Sequence, residues 1–328
     1  MIKKFLFSIS LLISLLSCND KSSQRILTDS FGNINELTIV VDNDSWKGSL
    51  GDSLRAVLAA PIDGLPREEP IFTLNQIPPS VFSGYATQGR TILKIEKGDN
   101  EPGVKFLKDA FAKPQRLVLI SGKDNQQIVD LLKENARKII ATYKKEEIKE
   151  RQRRISKSLL NISDLESVLG INIKVPSAYR IAKQEDNFFW IRKDITTGTT
   201  NLMIFELPLD AIKESDSIVS QIVKMRDSIG QKYIPGPTEG SYMITEKAYS
   251  PMFFITEIEG KKTFETKGTW EVENAFMAGP YINYIIEDKL NNRLLVMEGF
   301  AFAPSVAQRE YMFDLEAIIK SVKFKTKE

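Results

Sequence analysis

The sequence contains no histidine and only one cysteine, Cys18. A lone thiol cannot form a disulfide within the chain. Without histidine, imidazole general-base catalysis, the Ser-His-Asp triad and the His/Cys zinc site are all excluded. Charge of one sign is also lacking, with 45 Lys and Arg against 43 Asp and Glu. Neutralising phosphates takes an excess of cations, so no nucleic-acid partner is expected. Nor is there an apolar run long enough to cross a bilayer, which takes about 20 residues. The chemistry that remains rests on carboxylates, Lys, Tyr, Ser and Thr, and no cofactor or metal is expected.

What is present begins with an address. Lys3 and Lys4 precede an apolar stretch from Phe5 to Leu16. The stretch is too short for a span and fits the core of a secretory signal. It ends at Leu15-Leu16-Ser17-Cys18, which resembles the lipobox of bacterial lipoproteins. Small Ser17 admits a signal peptidase, and the Cys18 thiol would carry diacylglycerol through a thioether, with palmitate-like acyl chains. Two or more chains hold firmly, because each buried methylene contributes about 0.8 kcal/mol. Removal of residues 1–17 takes two lysines and no acids, leaving a balanced mature chain. The expectation is a protein of the cell envelope, fixed to a membrane by its N-terminal lipid, with the periplasmic face of the outer membrane favoured.

Residues 18–34 are polar and turn-rich and read as a flexible tether spanning about 20 Å. The fold class expected beyond them is α+β. An N-terminal α/β lobe would occupy 35–143, a helical connector 144–160 and an α+β lobe 161–328, mainly antiparallel sheet with packed helices. Glu36–Asp42 has the β-branched density of a buried strand, and strands are expected at Ile71–Leu74, Thr91–Glu96 and Arg116–Ser121. A long helix is predicted from Asn125 to Arg154, with Ile128, Leu132, Ile139 and Tyr143 on its packed face. Past Tyr143 charges dominate, and that part reads as a solvated connector laced with i, i+4 pairs. In the C-terminal half, hairpin turns are expected at Glu259-Gly260 and Asn291-Asn292. Phe188-Phe189-Trp190-Ile191 is apolar on both faces, as an inner strand would be.

Few residues stand out as carriers of chemistry. Asp42 and Asp44 flank a strand-to-helix junction where carboxylates can hold a cation or contact a ligand, although a turn with a helix cap explains them as well. Ser121-Gly122-Lys123-Asp124 lacks the spacing of a phosphate loop and reads as a turn. Pro235-Gly236-Pro237-Thr238-Glu239-Gly240 should be a stiff loop that presents Glu239, the leading acid/base candidate. Trp270 and Tyr281, beside carboxylates, are the aromatic candidates for ligand contact.

Several segments resemble a domain-of-unknown-function family of lipoproteins from Bacteroidota-type bacteria. They include Val40-Val41-Asp42-Asn43-Asp44-Ser45-Trp46, Gly64-Leu65-Pro66-Arg67-Glu68-Glu69-Pro70, Gly268-Thr269-Trp270-Glu271-Val272 and Gly299-Phe300-Ala301-Phe302-Ala303-Pro304. The resemblance spans about Asn33 to Lys323. It implies a lipidated envelope protein and supplies no catalytic or ligand residue. The leading reading is therefore a non-enzymatic binding or scaffolding protein with an envelope protein or glycan as partner. A carboxylate-based hydrolase of envelope glycans and a carrier of lipid or another apolar ligand are the alternatives.

Overall fold

The structure, a computed structural model, describes residues 26–325. Cys18 and the signal segment lie outside the described residues. The N-terminal lobe contains, in order, β1 (Thr28–Asp29), β2 (Glu36–Val40), α1 (Asn43–Lys47), α2 (Ser49–Leu58), β3 (Thr73–Ile77), β4 (Thr91–Lys97), β5 (Gly103–Lys108), β6 (Ala112–Lys113) and β7 (Arg116–Gly122). Five of these strands form a sheet in the order β3-β2-β4-β7-β5, parallel except for β5. Leu37, Ile39, Leu93, Val118 and Ile120 project from one face onto Leu50, Leu54 and Leu58 of α2. The edge strand β5 has no counterpart in the expectations, because Lys105 and Lys108 dilute its apolar signal. The strand expected at Ile71–Leu74 starts instead at Thr73. Ile71 and Phe72 spend their N–H groups on the carbonyls of Ala60 and Leu58 at the end of α2.

The helix α3 (Asn125–Ile155) joins the two lobes. Its first half packs Ile128, Leu132, Ile139 and Tyr143 into the N-terminal core, and Ile155 at its end enters the C-terminal core. The middle departs from a solvated connector. Glu147 is fully buried and accepts two hydrogen bonds from Arg90, at 2.8 and 2.9 Å, and one from Asn35 N at 2.7 Å. Glu150 is also buried and takes Arg153 and Arg154. An i, i+4 pattern of charges cannot show that a neighbouring lobe will cover one side of it.

The C-terminal lobe contains α4 (Ser163–Leu169), β8 (Ile171–Asn172), β9 (Arg180–Glu185), β10 (Phe188–Ile195), β11 (Gly198–Pro208), α5 (Ile218–Tyr233), β12 (Met243–Thr245), β13 (Met252–Ile258), β14 (Lys261–Val272), β15 (Ala275–Asp288), β16 (Arg293–Phe302), α6 (Arg309–Ile319) and β17 (Lys323–Phe324). Eight of its strands form an antiparallel sheet ordered β12-β14-β15-β16-β11-β10-β9, with β13 added to the same edge of β14 as β12. Glu259 and Gly260 turn with positive φ, as does Asn292. The sheet is covered on both faces. Ile204, Tyr284, Met297 and Leu295 meet α4, α6 and the end of α3, whereas Met203, Ile285 and Val296 meet α5. Phe188 and Phe189 are buried on opposite faces, as an inner strand requires. The whole is mixed α+β, and no helix among the described residues is long and apolar enough to cross a membrane.

The lobes are strapped together. The loop between α2 and β3 closes on itself through Pro61 and Pro70, and it sends Glu69 to the start of α6. There the carboxylate accepts from Gln308 N at 2.6 Å and Arg309 N at 2.8 Å, so an acid from one lobe caps a helix of the other. Arg309 answers by donating to Pro70 O and Thr73 Oγ1. Deeper in, Arg151 of α3 pairs with Asp314 of α6, and Gln152 donates to Ala317 O at 3.0 Å. Part of the stretch read as tether is docked too. β1 pairs with β6, and Arg90 and Arg154 both hold the Gly32 carbonyl.

Candidate functional site

The expected site residues do not converge. Asp42 caps α1, accepting from Ser45 N at 2.8 Å, and that N–H is the main reason its carboxyl titrates below the usual range. Asp44 is exposed in the first turn of α1. Glu239 is exposed on a loop that closes on itself, with Ser241 Oγ donating to Thr238 O and Gly236 N to Ser241 O. A hydrolase needs a second carboxylate facing the first. Asp42 and Glu239 are in different lobes with separate hydrogen-bonding neighbours. Trp270 is buried, donating from Nε1 to Ala301 O at 3.2 Å with its ring edge-on to Phe300. It offers no face to a ligand. Tyr281 is also buried, with the Arg226 guanidinium 3.4 Å from its ring centroid. Burial pushes its hydroxyl up against the opposing pull of Arg226.

Arg226 belongs to a polar group that no spacing announced. It donates twice to Glu298 at 2.7 Å and also to Thr245, and Asn283 joins at Glu298 Oε2 at 2.9 Å. Both charges are nearly solvent-free, so this pair pins α5 to the sheet. Burial works against the Arg226 charge, and Glu298 more than restores it, raising its pKa.

Two features have the shape of sites. The first is a cleft where the lobes meet, with a cavity of about 50 Å³. Leu65 and Ile71 of the strap, Ile282 of the sheet and Phe313 of α6 form its apolar walls, and Lys144 and Lys267 line it as well. Gly64 lets the strap approach. Its φ is +83°, and a Cβ there would lie 2.7 Å from Lys267 Cβ. Glu316, at the same cleft, would be pushed up by burial, but Lys320, Lys267 and Lys144 hold it at about 2. A larger groove of about 520 Å³ lies open on the N-terminal sheet beside Glu36 and Arg90.

The second feature is an edge. β13 pairs only with β14, so its outer backbone groups have no strand partner among the described residues. Its sequence, MFFITEI, has one charge in seven residues, and Met252, Phe254 and Ile255 are exposed. The opposite edge, β9, has Arg180, Lys183 and Glu185 in six residues. Edge strands are normally protected by charge, proline or cover, and β13 carries only Glu257, with Pro251 just before its first residue. Exposed Phe276 and Tyr249 add further apolar surface in the same lobe. The sequence marks the β13 strand clearly, but its place at an edge depends on strand order.

A profile described as a domain of unknown function (DUF4837) matches residues 158–321, half of the chain, and a second (DUF8532) matches residues 30–156. The boundary between them falls at the end of α3. No curated protein matches. One solved structure, LpqN involved in cell envelope biogenesis of Mycobacterium tuberculosis, is similar at 11% identity and a TM-score of 0.27. It covers 48% of this chain and 83% of its own, a likeness too slight to bear on fold or function.

Proposed function

Starting from its membership of the DUF4837 family, a domain of unknown function, we propose that this chain is a non-enzymatic scaffold of the cell envelope, held to a membrane by lipid on Cys18, that docks another polypeptide along β13. The exposed and mainly apolar edge of β13 carries this reading. An extended segment laid beside it would gain a ladder of backbone hydrogen bonds, with Phe254 and Ile255 supplying side-chain contact on the two faces. The strapped lobes suit a scaffold, since ion pairs and a shared helix cap keep the edge in a fixed relation to β1, the docked segment nearest Cys18 in the chain. The partner is a polypeptide with an exposed extended stretch of mainly apolar residues.

The reading is tested by placing a photo-crosslinking residue at Ile255 and, as a control, at Lys183 on the opposite edge, in cells of the source organism. Crosslinks to a discrete envelope polypeptide from position 255 alone, lost when Glu257→Pro removes an outward-facing N–H, are the expected result. Equal labelling from both edges, or none from position 255, overturns it. Mass spectrometry of the mature N-terminus tests the anchor, which requires a lipidated Cys18 as the first residue.

A further inference from the structure

We propose that the cleft between the lobes binds a small monocarboxylate, its carboxylate paired with Lys144 and a short apolar tail against Leu65, Ile71 and Phe313. This rests on different residues from the β13 reading and does not depend on it.

The charge balance of the cleft favours an anion. Lys267 pairs with Glu265 at 2.7 Å and Lys320 with Glu316. Lys144 stands beside them with no hydrogen bond or ion pair among the described residues. Three lysines thus face two glutamates, Arg309 is taken by Glu310, and Lys144 feels Glu316 through space with no direct ion pair. Asp63 at the mouth is exposed, where water screens its charge. Burial draws the Lys144 pKa below the ordinary lysine value, with Glu316 pulling the other way and Lys267 and Lys320 adding to the fall. A partly buried cation of this kind gains more from an incoming anion than a surface lysine does, because less water is available to replace it.

Size and shape narrow the class. A water needs about 10–15 Å³ of such space, so a cavity of about 50 Å³ admits a carboxylate and a few methylenes. A phosphate dianion would need a second free cation, and the neighbouring lysines are already paired. A neutral molecule would leave Lys144 uncompensated. The walls come from both lobes, so a bound acid would also bridge the strap, α3 and α6.

Free short-chain acids and the C-terminus of a peptide share this chemistry. Calorimetric titrations of the full-length protein in detergent would use hexanoate and N-acetyl-alanyl-leucine as the two carboxylates, with inorganic phosphate and hexanol as controls. Binding of either carboxylate, without binding of the controls, is expected, and the tighter of the two identifies the source. Lys144→Met should weaken that binding at least tenfold, Lys144→Arg should retain most of it, and thermal melts of both should match or exceed the parent. The proposal fails if neither carboxylate binds at millimolar concentration, if a control binds as tightly, or if Lys144→Met leaves affinity unchanged. Loss of crosslinking at β13 would leave this result untouched, and the converse also holds.

Discussion

Lys144 and Glu147 are one turn apart on α3, and the fold treats them in opposite ways. Glu147 is completely buried and completely paired, with the Arg90 fork and a backbone N–H filling its oxygens. Lys144 is partly buried and unpaired, facing a cleft. The first arrangement binds the chain around Asn35 to the helix and makes one body of its surroundings. The second costs stability on balance, because burial of the ammonium outweighs its attraction to Glu316. The same face of the helix therefore contributes a latch and, one turn away, an ammonium without a direct partner.

The largest effect expected is from Glu147→Ala. It leaves Arg90 buried without its partner and should cost about 3–5 kcal/mol in chemical denaturation. A loss below about 1 kcal/mol would mean the latch contributes little and would break the contrast with Lys144. Next comes Gly64→Val, which places a branched side chain at φ +83° against Lys267 and should cost about 1–3 kcal/mol. Amide exchange at Ile62 and Leu65 should accelerate, while exchange at Ile92 and Val118 should not.

Acid sharpens the comparison further. Burial opposes the charge on Glu150 and Glu316, yet Arg153 and Arg154 hold the first at about 2 and the lysines hold the second at about 2. Both are depressed below the ordinary 4.5, so their contribution is fully present above that pH and is lost as pH falls through about 2. Stability followed from pH 5 downward should decline across this window, and Glu150→Gln with Glu316→Gln should flatten the decline. The smallest effect is Lys144→Met, a gain of about 1 kcal/mol or less near neutral pH. Its sign follows from the titration. A lysine pKa depressed in the folded state makes stability rise as pH climbs from that value toward 10.5. The groups facing Lys144 are Glu316, Glu265, Lys267 and Lys320, and the Met variant should lack the rise.

Much of the fold was legible because it rests on local pattern. The apolar spacing of Ile128, Leu132, Ile139 and Tyr143 makes a helix face whatever it packs against, and Glu259-Gly260 turns a hairpin wherever it occurs. The candidate sites were much less legible. Asp42 turned out to be a helix cap and Trp270 a core side chain, since the same residues serve structure and chemistry. Lys144, Glu147 and Glu150 looked like one solvated run, because charge periodicity carries no information about which face a second lobe will cover.

By itself the sequence determined the α+β class, the long helix and most of the strands, since side-chain alternation, turn chemistry and capping act over a few residues. Only the tertiary structure decided that β13 would be left at an edge, that Glu69 would cap a helix of the other lobe, and that Lys144 would lack a partner. Each of these depends on contacts between residues far apart in the chain, where strand order and lobe docking settle which groups are paired and which are left open.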